Sequence, residues 1–247
     1  MQPLARPGRK GSGYFIWQIN IMNAWQERLA LLKYKGGFKA AVFWLIKILC
    51  RVEIYFFYAA DLTRQQASLP QPLAKKSGTE AFHFIALNST QDIAMYPHEL
   101  IEQISSQSGR GVTQLIQDDA KIYALIDGTQ VVSQTNISHG AVIRVDSPTD
   151  LDIGLTSGDA FLGYLFTHPH YRGLGAAALL LEMVCEDVKK YGYSRIVTHI
   201  RSTNVASLNT FKKCGWLKIG WIAVITSNHL LLRCLHKAGI AVLAVKQ

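Results

Sequence analysis

Residues 159–216 read DAFLGYLFTHPHYRGLGAAALLLEMVCEDVKKYGYSRIVTHIRSTNVASLNTFKKCGW, and the fold turns on how this stretch is interpreted. Residues 160–167 predict a buried strand, with Gly163 inside it as the mark of a bulge or of close approach by a ligand. His168-Pro169-His170-Tyr171 ends that strand. Arg172-Gly173-Leu174-Gly175-Ala176-Ala177 then opens a helix running to Tyr191, with Leu180, Val184, Val188 and Tyr191 on its core side and Gly192 as its stop. The first N–H groups of a helix lack internal partners, and the helix dipole favours negative charge beside them. Glycines let those amides touch phosphate oxygens that a side chain would hold away. The turn therefore has the make-up of a pyrophosphate cradle at 173–177. It is not a P-loop, since no Gly-Lys-Ser/Thr follows, and a tight turn with no ligand is the open alternative.

A second strand follows at 194–200, then Ser202-Thr203-Asn204 and a short helix ending at Gly215. Here the chain resembles the GNAT superfamily of acyl-CoA N-acyltransferases. Its Arg/Gln-x-x-Gly-x-Gly/Ala signature matches Arg172, Gly175 and Ala177. Its second signature, Asn-x-x-Ala/Ser-x-x-x-Tyr/Phe-x-x-x-Gly-Phe/Trp, matches Asn204, Ser207, Phe211, Gly215 and Trp216. Two ordered motifs in strand–helix context are far more specific than either alone. The strong match covers 159–216, and the element order extends it more weakly over 80–235.

The resemblance implies an α/β fold: a mixed, largely antiparallel central sheet flanked by helices, with an N-terminal helical extension. It implies that the strands at 160–167 and 194–200 splay apart and admit pantetheine between them. Backbone groups of Leu165, Phe166 and Thr167 would bind that arm. Arg172, Gly173, Leu174, Gly175, Ala176 and Ala177 would hold the pyrophosphate, and Asn204, Ser207 and Phe211 would complete the cofactor site. The cofactor implied is acetyl-CoA or another acyl-CoA, without a metal. An acceptor amine would attack the thioester directly.

Departures leave the proton-transfer groups open. Many relatives place a tyrosine, the acid for the leaving thiolate, where this chain has Phe211, which has no proton to give. Asp159 is the candidate base, against an ordinary strand-end carboxylate. His199, at the end of the second strand, is a second candidate because imidazole titrates in the useful range. His168 and His170 read as local hydrogen-bonding or cofactor-contacting groups. Asn204 and Ser207 also suit a helix N-terminus as caps, and Phe211 and Trp216 also suit a core.

Working outward, the chain has 247 residues, 49% of them hydrophobic, which excludes a mainly disordered protein. Its net charge of +9 is uneven. Residues 1–60 carry +7, 61–184 carry −6 and 185–247 carry +8. Basic flanks suit anionic partners, but charge alone does not choose one. Nucleic acid is disfavoured, since no helix-turn-helix, zinc or stacking signature accompanies the charge. The four cysteines have no CxxC pair and no histidine stands at a zinc spacing, so free thiols in a reducing compartment are expected. No secretory leader is expected, and the location read from the sequence is cytoplasmic.

The domain plan is a basic amphipathic extension (1–62), a linker (63–79), the acyltransferase domain (80–235) and a tail (236–247). A capped helix is expected at 23–35. Residues 38–60 are strongly apolar, yet their longest uncharged runs fall far short of the roughly 20 residues of a membrane span. Lys39, Lys47 and Arg51 give the first part a basic stripe, and the aromatic 52–58 reads as a strand. This segment packs on the main domain or meets a membrane surface or a partner. Within the domain, a strand is expected at 82–87 and helices at 93–106 and 112–118. A hairpin of 121–126 and 131–137 turns at Asp127-Gly128. The expected partner is an amine-bearing acceptor, a small molecule before a protein, with a homodimer also open. The rival reading is a non-catalytic acyl-CoA-binding module on the same fold.

Overall fold

The aromatic segment assigned to the N-terminal extension proves to be a central strand. The computed structural model describes residues 52–63, 82–108, 111–145, 151–225, 230–235 and 239–243. The expected basic tail, the helix at 23–35, the basic stripe and most of the linker lie outside these residues. β1 (Val52–Asp61) pairs antiparallel with β8 (Arg195–Arg201) on one side and with β9 (Leu217–Ile225) on the other. Tyr55, Phe57 and Ala59 point to one apolar layer and Tyr58 to the opposite one, which is why the run is aromatic throughout rather than alternating. The boundary drawn at residue 62 is therefore not a boundary of the fold. Composition marked the segment as apolar, and only its long-range partners show what it is apolar for.

The other elements follow in chain order. They are β2 (His83–Leu87), α1 (Thr90–Ala94), α2 (His98–Ser108), α3 (Val112–Gln117), β3 (Ala120–Asp127), β4 (Gln130–Ser138), β5 (Val142–Val145) and β6 (Leu151–Gly154). Then come β7 (Asp159–Thr167), a 3-10 turn (Pro169–Tyr171), α4 (Ala176–Lys190), β8, α5 (Val205–Lys213), β9, β10 (Leu230–Cys234) and β11 (Ala241–Leu243). Among the described residues the main sheet has the order β10-β9-β1-β8-β7-β4-β3-β2, and a small sheet has the order β11-β6-β5. All neighbours are antiparallel except β7 and β8. The fold class is thus the one expected. β11, inside the expected tail, pairs with β6 and belongs to the folded unit.

One predicted helix, 93–106, is two. Pro97 divides it, because a proline disfavours helical geometry at the preceding residue. The first piece starts earlier than expected, at a capping box in which Ser89 and Asp92 satisfy each other's backbone amides. The hairpin forms, but its turn falls one residue later than the expected Asp127-Gly128: Asp127↔Gln130 is the last pair and Gly128 has φ +57°, so the turn residues are Gly128-Thr129.

The core has one layer on each face of the sheet. On one face α4 and α5 cover Leu125, Leu162 and Ile196 with Leu180, Val184, Leu208 and Phe211. On the other, α2 and α3 cover β2–β4 through Leu100, Ile104 and Leu115, while the small sheet covers β7, β8 and β1 through Ile143 and Ile153. A polar tie fixes α4 on β3. Lys121 Nζ donates to Asp187 and Tyr191 at 2.9 Å each, and Tyr123 donates to Asp187 at 2.8 Å. That clamp at the C-terminal end of α4 directs its N-terminal end at the end of β7.

Candidate active site

The site begins where two strands part. β7 and β8 form only four parallel pairs, from Asp159↔Arg195 to Leu162↔Thr198. Beyond them β7 stays on β4 as far as Thr167↔Ser133, while β8 stays on β1 as far as Arg201↔Tyr55. Residues 163–167 are accordingly half-buried, and among the described residues no strand pairs with the edge that faced β8. At the fork, Thr198 Oγ1 donates to the Leu162 carbonyl at 2.8 Å. The register slips between Thr135 and Ile137, so the bulge foreseen from Gly163 is present. Thr135 Oγ1 donates to the Tyr164 carbonyl, and Ser133 Oγ to the Phe166 carbonyl at 2.8 Å, holding the bulged segment to β4.

The cradle follows at the end of β7. Gly173 and Gly175 take φ of +81° and +91°, a region that side chains rarely enter, and among the described residues nothing beyond the neighbouring chain lies within 4 Å of where a Cβ would stand at either. Gly175 caps α4 without any side-chain bond. Ala176 is buried under the helix, Ala177 is half-buried, and Leu174 is exposed. Arg172 Nε donates to the Thr167 carbonyl at 3.1 Å, so this arginine braces the turn. Thr167, at the end of β7, and Arg172, at the start of the turn, are thus joined directly.

The second motif has a local role. Asn204 Oδ1 accepts from the Ser207 amide at 3.2 Å as the cap of α5. Phe211 is 2% exposed, its ring edge-on to Trp216 at 4.8 Å. His168 does not show the expected local hydrogen bond: its Nδ1 is enclosed and has no partner among the described residues.

Asp159 is not placed for base chemistry. It sits at the first residue of β7, paired with Arg195 at the start of the closed β7–β8 stretch and on the far side of the fork from the parted strands. Arg195 grips both carboxylate oxygens, with Nε–Oδ1 at 2.7 Å, and Thr156 adds its amide at 3.1 Å and its hydroxyl at 2.6 Å. Burial pushes its pKa up, but these donors outweigh burial and hold the carboxyl below its usual range. The strand-end reading is the correct one, with the residue used as a structural anchor.

His199 is placed well and tuned differently from expectation. It is the first residue of β8 past the fork, half-buried among Tyr55, Phe57 and Phe161 at ring separations of 5.4, 6.1 and 5.8 Å. Burial, with the Arg201 charge adding, pushes its pKa down to about 4. It is therefore neutral at pH 7 and only a weak base. Between that value and its ordinary 6.5 the unfolded chain binds the extra proton, so stability rises with pH through this window and is lost on acidification. His199→Phe is expected to remove about 2 kcal/mol of that acid dependence between pH 6.5 and 4, measured by urea unfolding at a series of pH values. His139, shifted the same way by burial, keeps a residual limb.

Sequence reading missed β1 as a contributor. Its Glu53, 7% exposed, accepts from Tyr55 at 2.6 Å and pairs with Arg201 at 3.1 Å beside His199. It also missed Asn136 of β4, 5% exposed, against which a Cβ at Gly163 would collide at 2.7 Å. The interior glycine was the available signal; its close neighbour is a side chain of this chain. Among the described residues no group of three or more His, Cys, Asp or Glu could hold a metal, and no helix is long and apolar enough to cross a membrane.

The sheet opens between its two parallel strands, with a glycine-lined helix N-terminus at the mouth. The acetyltransferase (GNAT) family model matches residues 91–216, just over half of the chain, and the chain belongs to that family. Several solved structures are similar to the chain at low identity. A GNAT-family acetyltransferase of Novosphingobium aromaticivorans is 15% identical, with a TM-score of 0.46, over 70% of this chain and 63% of that one. An aminoglycoside 6′-N-acetyltransferase of Acinetobacter baumannii is 15% identical, with a TM-score of 0.39, over 56% and 91%. An IAA acetyltransferase of Bacillus cereus is 17% identical, with a TM-score of 0.37, over 53% and 75%. No curated protein matches the chain.

Proposed function

We propose that this chain is an N-acyltransferase that moves an acetyl group from acetyl-CoA to the primary amine of a small molecule. One observation carries the reading: β7 and β8 part at Leu162↔Thr198, and β7 runs on from that fork into a turn with open space over the Cβ positions of Gly173 and Gly175. The donor set fits the cofactor. First-turn amides of α4 and the positive end of its dipole suit a diphosphate. The unpaired edge of 163–167 suits a ligand that bonds like a strand, as the amides of pantetheine can.

When bound, an acyl-CoA supplies an activated thioester; its transfer forms one N–C bond, breaks one C–S bond and moves one proton from nitrogen to sulfur. The chain's own residues bind and orient. Gly173, Gly175 and Ala177 fix the diphosphate end, and Leu165 and Thr167 hold the arm along β7. His199, neutral, faces the incoming amine without competing for its proton. A second reading, an acyl-CoA-binding module without chemistry, is favoured by Phe211 in the core and Asp159 in its ion pair. Acetyl-CoA binding without amine-dependent thiol release supports that reading.

The test is calorimetric titration of acetyl-CoA into wild type and Gly175→Trp. The indole is expected to weaken binding at least about 100-fold, or about 2.7 kcal/mol. Because φ +91° strains any side chain there, Ala177→Glu serves as a second variant with ordinary helical backbone, repelling the diphosphate by charge. No binding by folded wild type, or unchanged binding by both folded variants, rejects the reading.

A further inference from the structure

We propose that Asn136 and His199 form the seat for the acceptor nitrogen, a pair of hydrogen-bond acceptors that takes an uncharged primary amine; this rests on the acyltransferase reading. The two side chains reach the same face of β7 from opposite sides. Gly163 and Phe161 are two residues apart, so their Cβ directions share a face, and Phe161 is in the layer opposite α4 and α5. The carboxamide of Asn136 lies over Gly163, with Oδ1 at 2.7 Å and Nδ2 at 3.0 Å from the position of an added Cβ. The ring of His199 lies on Phe161 at 5.8 Å and 20°. One pleat of β7 therefore separates them, at the level where the last β7–β8 pair ends.

Both groups carry unused hydrogen-bonding capacity. Asn136 Oδ1 and His199 Nδ1 are enclosed and have no partner among the described residues, and Nδ1 accepts in the neutral tautomer that carries its proton on Nε2. Buried polar atoms are nearly always bonded, so two orphans on one face at a strand fork point to a missing ligand. Gly163 is what makes room: any side chain there would expel the carboxamide. The neighbouring charges decide the ligand's charge. Glu53 is held by Arg201 and by Tyr55, so its carboxylate is already engaged, while Arg201 remains close enough to His199 to disfavour a proton on it. A site with two acceptors and a nearby guanidinium accepts N–H donors and resists a cation. An uncharged primary amine has two N–H groups for the two acceptors and keeps its lone pair for attack. A hydroxyl offers one donor, and a tertiary amine none.

The experiment uses the full-length protein loaded with coenzyme A and two fluorine probes of one size, trifluoroethylamine, which is largely uncharged at neutral pH, and trifluoroethanol. Fluorine NMR titration is expected to give saturable amine binding, with the alcohol at least about tenfold weaker. Asn136→Leu and His199→Phe should each weaken the amine about tenfold, with coenzyme A affinity within about twofold of wild type. Leucine matches the volume of the carboxamide, and phenylalanine suits the aromatic cage, so two independent variants guard against misfolding in either. Equal binding of the two probes, or amine binding unchanged in both variants, overturns the seat alone. Failure of the wild type to take up coenzyme A overturns the acyltransferase reading and the seat with it.

Discussion

A chain beginning at Leu62 is expected to yield no folded protein, whereas one beginning at Arg51 keeps β1 and the sheet. β1 is hydrogen-bonded along both edges, to β8 over seven residue pairs from Tyr55↔Arg201 to Asp61↔Arg195 and to β9 from Val52↔Ile225 to Ala59↔Leu217. Tyr55, Phe57 and Tyr58 are each 2% exposed or less. Burying such side chains contributes about 1.5–3 kcal/mol apiece, before any ladder bond is counted. A domain's whole stability is about 5–15 kcal/mol, and these three side chains alone, at about 4.5–9 kcal/mol together, are of the same size. Removal also leaves β8 and β9 with two bare facing edges, an invitation to aggregate. Thermal melts of the two truncated chains check this; a cooperative melt from the shorter one contradicts it.

Asp159→Ala is expected to cost about 3 kcal/mol, near the lower end for breaking a buried ion pair by removing one partner. The carboxylate is 2% exposed against 24% for Arg195, so the guanidinium can turn partly to water, which sets the lower figure. At about 2–4 °C per kcal/mol for a chain of this size, the melting temperature should fall by about 6–12 °C. The sign with pH follows from the lowered carboxyl pKa. Wild-type stability from this pair is present above the ordinary 3.8 and lost as pH falls through the lower folded value, and the variant lacks that acid limb. Below its melting point the variant should keep amine-dependent thiol release within about threefold of wild type, or about 0.7 kcal/mol in barrier. A loss of turnover with unchanged melting would return Asp159 to the chemistry.

The cradle was legible because its determinants are local. Gly175 and the small residues after it dictate a left-handed turn and a helix start wherever they occur, and Gly192 and Gly215 end their helices with positive φ as read. Strand identity along 160–167 and the bulge at Gly163 were legible for the same reason. Asp159 misled because a carboxylate's use depends on its partners, and Arg195 is 36 residues away in sequence. Phe211 and Asn204 fitted a family motif while serving packing and capping, roles that the motif's spacing alone does not separate.

By itself the sequence determined the strands at 160–167 and 194–200, the helices that follow each of them and the glycine turn between 172 and 177, since turns, caps and alternation are set by residues within a few positions of one another. The tertiary structure alone decided that β1 enters the sheet between β8 and β9, pairing Tyr55 with Arg201 across 146 positions. It alone set Asn136 over Gly163 and His199 on Phe161. Those choices rest on which strand finds which edge, a competition among distant segments won by buried area and satisfied ladder bonds rather than by any local preference.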